Sequence, residues 1–222
     1  AGVLPMLKNT PDTRGTRPNG IYIPRFQNLT DRHSKFLRGY GYQGNASVVK
    51  WGHAMSVEGF GASFKNEVKN NRPWTMSIGG FGEHLPQYEN FCELDKVHTD
   101  AWGIPILHIS AAYGDNEQKM VDDMADAAEE MLHAAGAEDI EVRRDISVPG
   151  LAIHEVGTAR MGDDPASSVL NTWEQAHDVS NLFVMDGSGY PSSACQNPTV
   201  TFMALATRAC EYLVEEFKAA RL

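Results

Sequence analysis

The chain has 222 residues, 19 Lys+Arg against 29 Asp+Glu for a formal net charge of −10, and 42% hydrophobic residues. That length and apolar fraction suffice to bury a core and exclude a disordered tail, and the acidic balance works against binding a phosphate backbone, so nucleic acid is not an expected partner. No run approaches the roughly 18 consecutive apolar residues of a membrane-spanning helix, and Cys92, Cys195 and Cys210 are too few and too far apart for a disulfide framework or a CxxC metal knuckle. The opening residues, Ala1-Gly-Val-Leu-Pro5, have no basic stretch followed by an apolar one, and the missing initial Met suggests a processed product or a fragment.

In residues 1–35, Pro5, Pro11, Gly15, Pro18, Gly20 and Pro24 interrupt any regular period, which predicts an extended, loop-rich lead-in. From about 36 to 112, apolar runs (Ala46–Trp51, Trp74–Ile78, Ile104–Ile109) alternate with Gly, Pro and Asn clusters. This predicts an antiparallel sheet with long connections. The period then changes: Met120, Met124, Ala127, Ala128, Met131 and Ala135 share one helical face between a capping Asp115 and a terminating Gly136. That methionine stripe is expected to be core packing, since flexible thioethers fill irregular gaps. Ile140-Glu-Val-Arg143 reads as a strand, and Leu182-Phe-Val-Met185 as a buried strand delivering Asp186-Gly-Ser-Gly at its carboxyl end. A closing helix is expected with Asn197 as N-cap and Pro198 at its first position, burying Val200, Met203, Ala204, Ala206, Ala209, Leu213 and Phe217.

Several motifs fail on their context. Gly39-Tyr-Gly-Tyr-Gln-Gly44 spells GxGxxG, but the residues before it are polar and those after it read as a strand, so a sheet turn is the better account. None of the eight histidines forms HxH or HExxH, which makes a zinc site improbable. Ser188 lacks the GxSxG spacing of a nucleophile elbow. Two polar segments remain: Ile153-His-Glu-Val-Gly-Thr-Ala-Arg-Met-Gly162, and Asp186 through Thr201, which runs directly into the closing helix. The start of a helix presents unpaired N–H groups and positive potential, which suit an anion or an electron-rich ring.

The order His154-x-x-Gly157-Thr158-x-Arg160-Met161-Gly162, Ser168-Val-Leu-Asn171, Asn181-Leu-Phe-Val-Met-Asp186-Gly-Ser and Asn197-Pro-Thr199 resembles the carboxyl-terminal region of the glucose–methanol–choline (GMC) flavin oxidoreductases. Asn in place of His at the second active-site position is most similar to the branch of bacterial sugar dehydrogenases and pyranose oxidases. The resemblance implies an α+β fold: an antiparallel-sheet substrate-binding domain, partial, over residues 1–149, and over 150–222 the final strand and helix of a Rossmann-like domain. Its amino-terminal half, with the family's GxGxxG, is absent from this sequence. The implied cofactor is flavin adenine dinucleotide (FAD), approached by Asp186 and Gly187 at its ribityl–pyrophosphate part and by Asn197, Pro198 and Thr199 at its ring edge. Gly187 is expected to be Gly so that backbone can approach the cofactor.

The implied reaction is oxidation of a CH–OH group of a sugar, glycoside or polyol, with hydride passing to flavin N5. The hydroxyl proton needs a base that titrates near neutrality; imidazole does and an amide does not, which assigns His154 as general base and Asn197 as the group orienting the substrate oxygen. Arg160 is expected to be structural, paired with a carboxylate or carbonyl. Trp51, His53, Trp74, Tyr88 and Trp102 are candidate walls for a sugar, although core packing is the commoner role for such residues. A small subunit or an electron-acceptor protein, and a periplasmic location, follow from the branch alone. The competing expectation is a non-catalytic module, without its flavin half, that binds a carbohydrate or a partner.

Overall fold

The computed structural model describes residues 1–7, 20–49 and 51–222, with Trp51 by its backbone only. The chain separates into two compact units, Ala1–Gly82 with Lys119–Asp145, and Glu83–Gln118 with Ile146–Leu222. Residues 83–118 thus fall in the same compact unit as residues 146–222. Antiparallel sheets and separate helices make the fold α+β.

The first unit is built on a four-stranded antiparallel sheet in the order β1-β4-β3-β2: β1 Gly2–Val3, β2 Gly20–Ile23, β3 Tyr40–Val48 and β4 Trp74–Gly82. β3 and β4 pair along their whole length, from Tyr40 opposite Gly82 to Val48 opposite Trp74. The segment spelling GxGxxG therefore enters a strand rather than forming a turn. Gly44 meets the neighbouring backbone so closely there that an added Cβ would lie 2.0 Å from the Ser77 carbonyl oxygen. The lead-in is less irregular than its prolines suggest, since it supplies β1 and β2; Pro11, Gly15 and Pro18 lie outside the described residues.

A helix not expected from the sequence, α1 (Gly61–Asn70), follows β3. Its signal is weak because only Val68 is buried, and Gly59 before it and Gly61 at its start have positive φ. The second helix, α2 (Asp115–Ala134), matches the methionine stripe. Tyr40, Tyr42, Phe36 and Met120 form a buried cluster with Met124, Ala128 and Met131 against it. Two glycines of β4 leave the room: an added Cβ would lie 1.9 Å from Met124 Sδ at Gly80 and 2.7 Å from Met120 Sδ at Gly82. Two phenols pin the helix from the sheet side, Tyr40 donating to Asp123 Oδ2 at 2.7 Å and Tyr42 to the Met124 carbonyl at 2.6 Å. Burial pushes the Tyr42 hydroxyl pKa up to about 12, so both remain donors at any physiological pH.

The ends of α2 differ from expectation at one side only. Asp115 is its first residue rather than its cap; Glu117 reaches back to accept the Gly114 N–H at 2.8 Å, half of a capping box. Gly136 ends the helix at φ 76°. Its N–H bonds to the His133 carbonyl and that of Ala137 to the Leu132 carbonyl, the Schellman arrangement. Residues 140–143 do not form a strand. Glu138 makes a single bridge to Val3, and Glu141 exchanges hydrogen bonds with the chain start, which satisfies this backbone without extending the sheet.

In the second unit β5 (Phe91–Thr99) and β6 (Pro105–Ser110) form a two-stranded antiparallel sheet with a register shift between Leu94 and Thr99. Its apolar side chains are open to solvent, among them Val97, Leu107 and Ile109, as is Trp102 in the turn between the strands. The carboxyl-terminal region has little regular structure before α3 (Thr199–Lys218). Leu182–Met185 is not a buried strand: Phe183 makes one bridge, to Gln175, and Leu182 is 48% exposed. The backbone here is satisfied by crossing hydrogen bonds around Leu170, which is fully buried.

Among the described residues no helix is long and apolar enough to cross a membrane, and no group of three or more His, Cys, Asp or Glu could hold a metal ion.

Candidate active site

The two polar segments singled out in the sequence are fastened to one another. Ala159 N–H donates to the Ser188 carbonyl at 3.0 Å and Met161 N–H to the Gly189 carbonyl at 2.7 Å. Upstream, the Glu155 carbonyl oxygen lies 3.3 Å from where a Cβ on Gly187 would stand. The segment bearing His154 therefore lies along the turn Gly187–Gly189. That turn is capped by Asp186, whose Oδ1 accepts the Ser188 N–H at 2.8 Å and hydroxyl at 2.6 Å. The first turn of α3 joins them: the Phe202 ring meets Tyr190 edge-on at 4.7 Å and fills the space beside Gly187.

The chain's own packing also requires glycine at 187. An added Cβ would stand 2.9 Å from Phe202 Cζ. Asp186 is likewise occupied locally, as the cap of the turn. The helix start is displaced by one residue from expectation: Pro198 is the N-cap, Thr199 the first helical residue, and no side chain caps the end. The N–H groups of Thr201 and Phe202 bond to the Pro198 carbonyl, while those of Thr199 and Val200 have no partner among the described residues. Val200 and Met203 stand exposed beside them, 78% and 65% respectively.

His154 is half-buried and Asn197 exposed. Among the described residues neither side chain has a hydrogen-bond or ionic partner, so both are available to a ligand. Arg160 does not make the pairing expected of it; it contributes through its carbonyl, which accepts the Val169 and Leu170 N–H groups. The aromatic candidates have separate local surroundings. Trp74 packs on the core cluster of Leu4, Leu132 and Ala137, Tyr88 and Trp102 are 95% and 84% exposed, and His53 bonds to Ser56. Trp51's side chain lies outside the described atoms.

Three residues of this region gave no functional signal in the sequence. Phe202 and Tyr190 read as ordinary apolar positions, and Glu174 sits among polar residues of a loop. In the structure Glu174 is 1% exposed at φ 57°. Trp173 beside it stacks on Tyr212 of α3 at 4.8 Å, and the Arg208 guanidinium lies over Trp173 and donates to the Thr172 carbonyl.

The donor set suits the ring of a flavin better than its phosphates. Two unpaired backbone N–H groups, an imidazole, a carboxamide and exposed apolar side chains match an electron-rich ring with a flat apolar face. Residues 150–200 hold no lysine and only one arginine, Arg160, so a pyrophosphate finds little charge here.

The family model described as GMC oxidoreductase matches residues 86–206. The chain is similar to 2-methyl-1,2-propanediol dehydrogenase of Mycolicibacterium austroafricanum, 32% identical over 85% of this chain and 35% of that protein. It is also similar to the fructose dehydrogenase large subunit of Gluconobacter japonicus, 28% identical over 80% of this chain and 32% of that one. A third relative, the gluconate 2-dehydrogenase flavoprotein of Pantoea cypripedii, is 27% identical over 71% of this chain and 27% of its own length. The chain thus spans about a third of the length of the curated relatives it matches. The family match covers more than half of these 222 residues, and the chain belongs to the GMC oxidoreductase family.

Proposed function

We propose that this chain contributes the base and the ring-facing part of an FAD-dependent oxidoreductase that oxidises a CH–OH group of a sugar, glycoside or polyol. The observation that carries the reading is the convergence of the His154 segment, the Asp186–Tyr190 turn and the open start of α3, with His154 and Asn197 both unpartnered. Family membership supplies the reaction class, and the names of the relatives, which include a diol, a fructose and a gluconate dehydrogenase, support the substrate class.

His154 accepts the hydroxyl proton, because an imidazole ring offers a basic nitrogen lone pair and a carboxamide does not. Asn197 donates its amide N–H to the substrate oxygen and holds the hydroxyl toward His154. The free N–H groups of Thr199 and Val200 supply positive potential at the helix start, favouring a ring that gains negative charge. Asn197, Pro198 and Thr199 line the ring edge, and Asp186 and Gly187 approach the ribityl–pyrophosphate part. Bound FAD would supply the hydride acceptor. In this reading residues 1–149 belong to the substrate-binding domain and 150–222 to the flavin-facing region, with a small subunit or an acceptor protein receiving the electrons.

The test is single-turnover, anaerobic flavin bleaching by candidate sugars and polyols in the complete polypeptide that carries this region. His154→Ala is expected to keep its yellow colour and lose roughly a hundred- to ten-thousand-fold in bleaching rate. A variant that retains FAD and bleaches as fast as the parent would remove His154 from the reaction.

A further inference from the structure

A glutamate in the polar stretch Asn171-Thr-Trp-Glu-Gln175 is expected at the surface. Glu174 is instead among the largest fully buried side chains of the protein. Its backbone is fixed at both ends, the N–H donating to the Asn171 carbonyl at 3.1 Å and the carbonyl accepting the Val184 N–H at 2.9 Å. Its Oε2 is buried without a hydrogen-bond partner. A carboxylate in such a place loses hydration with no hydrogen bond to Oε2 in return, which favours the neutral acid.

Two charged groups act on it. Arg208 of α3 favours the charged form, but its guanidinium makes no ion pair with Glu174 and is engaged by the Thr172 carbonyl and the Trp173 ring. Asp186 opposes ionisation, and the charge on Glu174 and the buried Tyr190 phenol oppose one another. Burial is the largest influence and raises the carboxyl pKa, with Arg208 against it and Asp186 adding to it.

The position matters because of what rests on it. Glu174 Oε1 lies 3.9 Å from where a Cβ on buried Gly189 would stand. The carbonyls of Ser188 and Gly189 are those that fasten Ala159 and Met161, and so the segment of His154. We propose that Glu174 is a positioning residue held as a neutral carboxylic acid beneath the Gly187–Gly189 turn, and that its ionisation loosens the turn and the His154 segment fastened to it. The effect on catalysis rests on the reading of His154 as base; the protonation state does not.

The sign follows from linkage. With the folded-state pKa raised, the stabilisation is fully present below the ordinary carboxyl value of 4.5 and is lost as pH rises through the folded value. The test compares the parent with Glu174→Gln, which keeps the shape and fixes the neutral state, in the complete polypeptide. In denaturant unfolding from about pH 4 to about pH 9, the parent is expected to weaken relative to the variant, by up to about tenfold in the unfolding constant per pH unit. A difference that is flat with pH, or that grows in favour of the parent, overturns the proposal.

Infrared spectra of the parent at pH values above the ordinary carboxyl range should contain a protonated-carboxyl C=O band that the variant lacks; its absence also overturns the proposal, whether or not the variant folds. In the rate profile, the alkaline limb should move to higher pH in Glu174→Gln, and a limb that stays in place overturns the positioning role. If the parent oxidises no alcohol, the function reading fails by itself, and the unfolding and infrared results still decide the state of Glu174.

Discussion

Helices α2 and α3 are both 20 residues long and both carry apolar residues at helical spacing, yet only α2 buries the face its sequence marks. In α2 the charged residues Asp122, Asp126 and Glu130 occupy the exposed side and leave one apolar stripe, so a single orientation satisfies the helix. Met120 and Leu132 are each 2% exposed. α3 is apolar around much of its circumference, and its sequence alone does not choose a face. Its neighbours choose: Phe202 seats against Gly187 and Tyr190, Tyr212 stacks on Trp173, and Ala209 becomes the buried position. Val200, Met203, Ala204 and Phe217, expected inside, turn outward, whereas Leu213 and Ala206 remain partly covered.

The contrast can be broken by substitution in this chain. Met120→Ala, in the helix whose face was legible, is expected to cost about 2–5 kcal/mol in denaturant unfolding through lost contacts and the cavity left behind. Gly80→Ala should cost roughly 1–3 kcal/mol, because its Cβ enters the seat of Met124, and adding Met124→Ala should recover part of that loss. The smallest effect is expected where the sequence promised a large one: Phe217→Ser, at a position 73% exposed, should stay within about 0.5 kcal/mol. A loss comparable to that of Met120→Ala would mean that α3 is turned the other way in solution.

The candidate site divides along the same line. The imidazole of His154, the carboxamide of Asn197 and the Gly-rich run after Asp186 stand in the sequence directly, as residue types in two polar segments. The packing beside Gly187 was not legible, because what fills the space there is Phe202, fifteen positions along the chain. Glu174 was invisible for a related reason: nothing within the Asn171–Gln175 stretch marks it as buried, and its burial comes from segments that cross over it. The missing strands at 140–143 and 182–185 have the apolar residues of strands but no neighbour along which to form a ladder; the bridges in reach are single ones, at Glu138 and Phe183. α1 escaped notice because it buries just Val68.

Sequence by itself determined the properties that depend on a residue and its near neighbours: the stripe of α2, the stop at Gly136, the strand character of residues around 46 and 76, and the chemical inventory of the two carboxyl-terminal segments. Tertiary structure alone decided which side of α3 is buried, why Gly187 admits no side chain, and that a glutamate lies beneath the turn. These depend on surfaces brought together from distant parts of the chain, where burial and fit, rather than local preference, set the free energy.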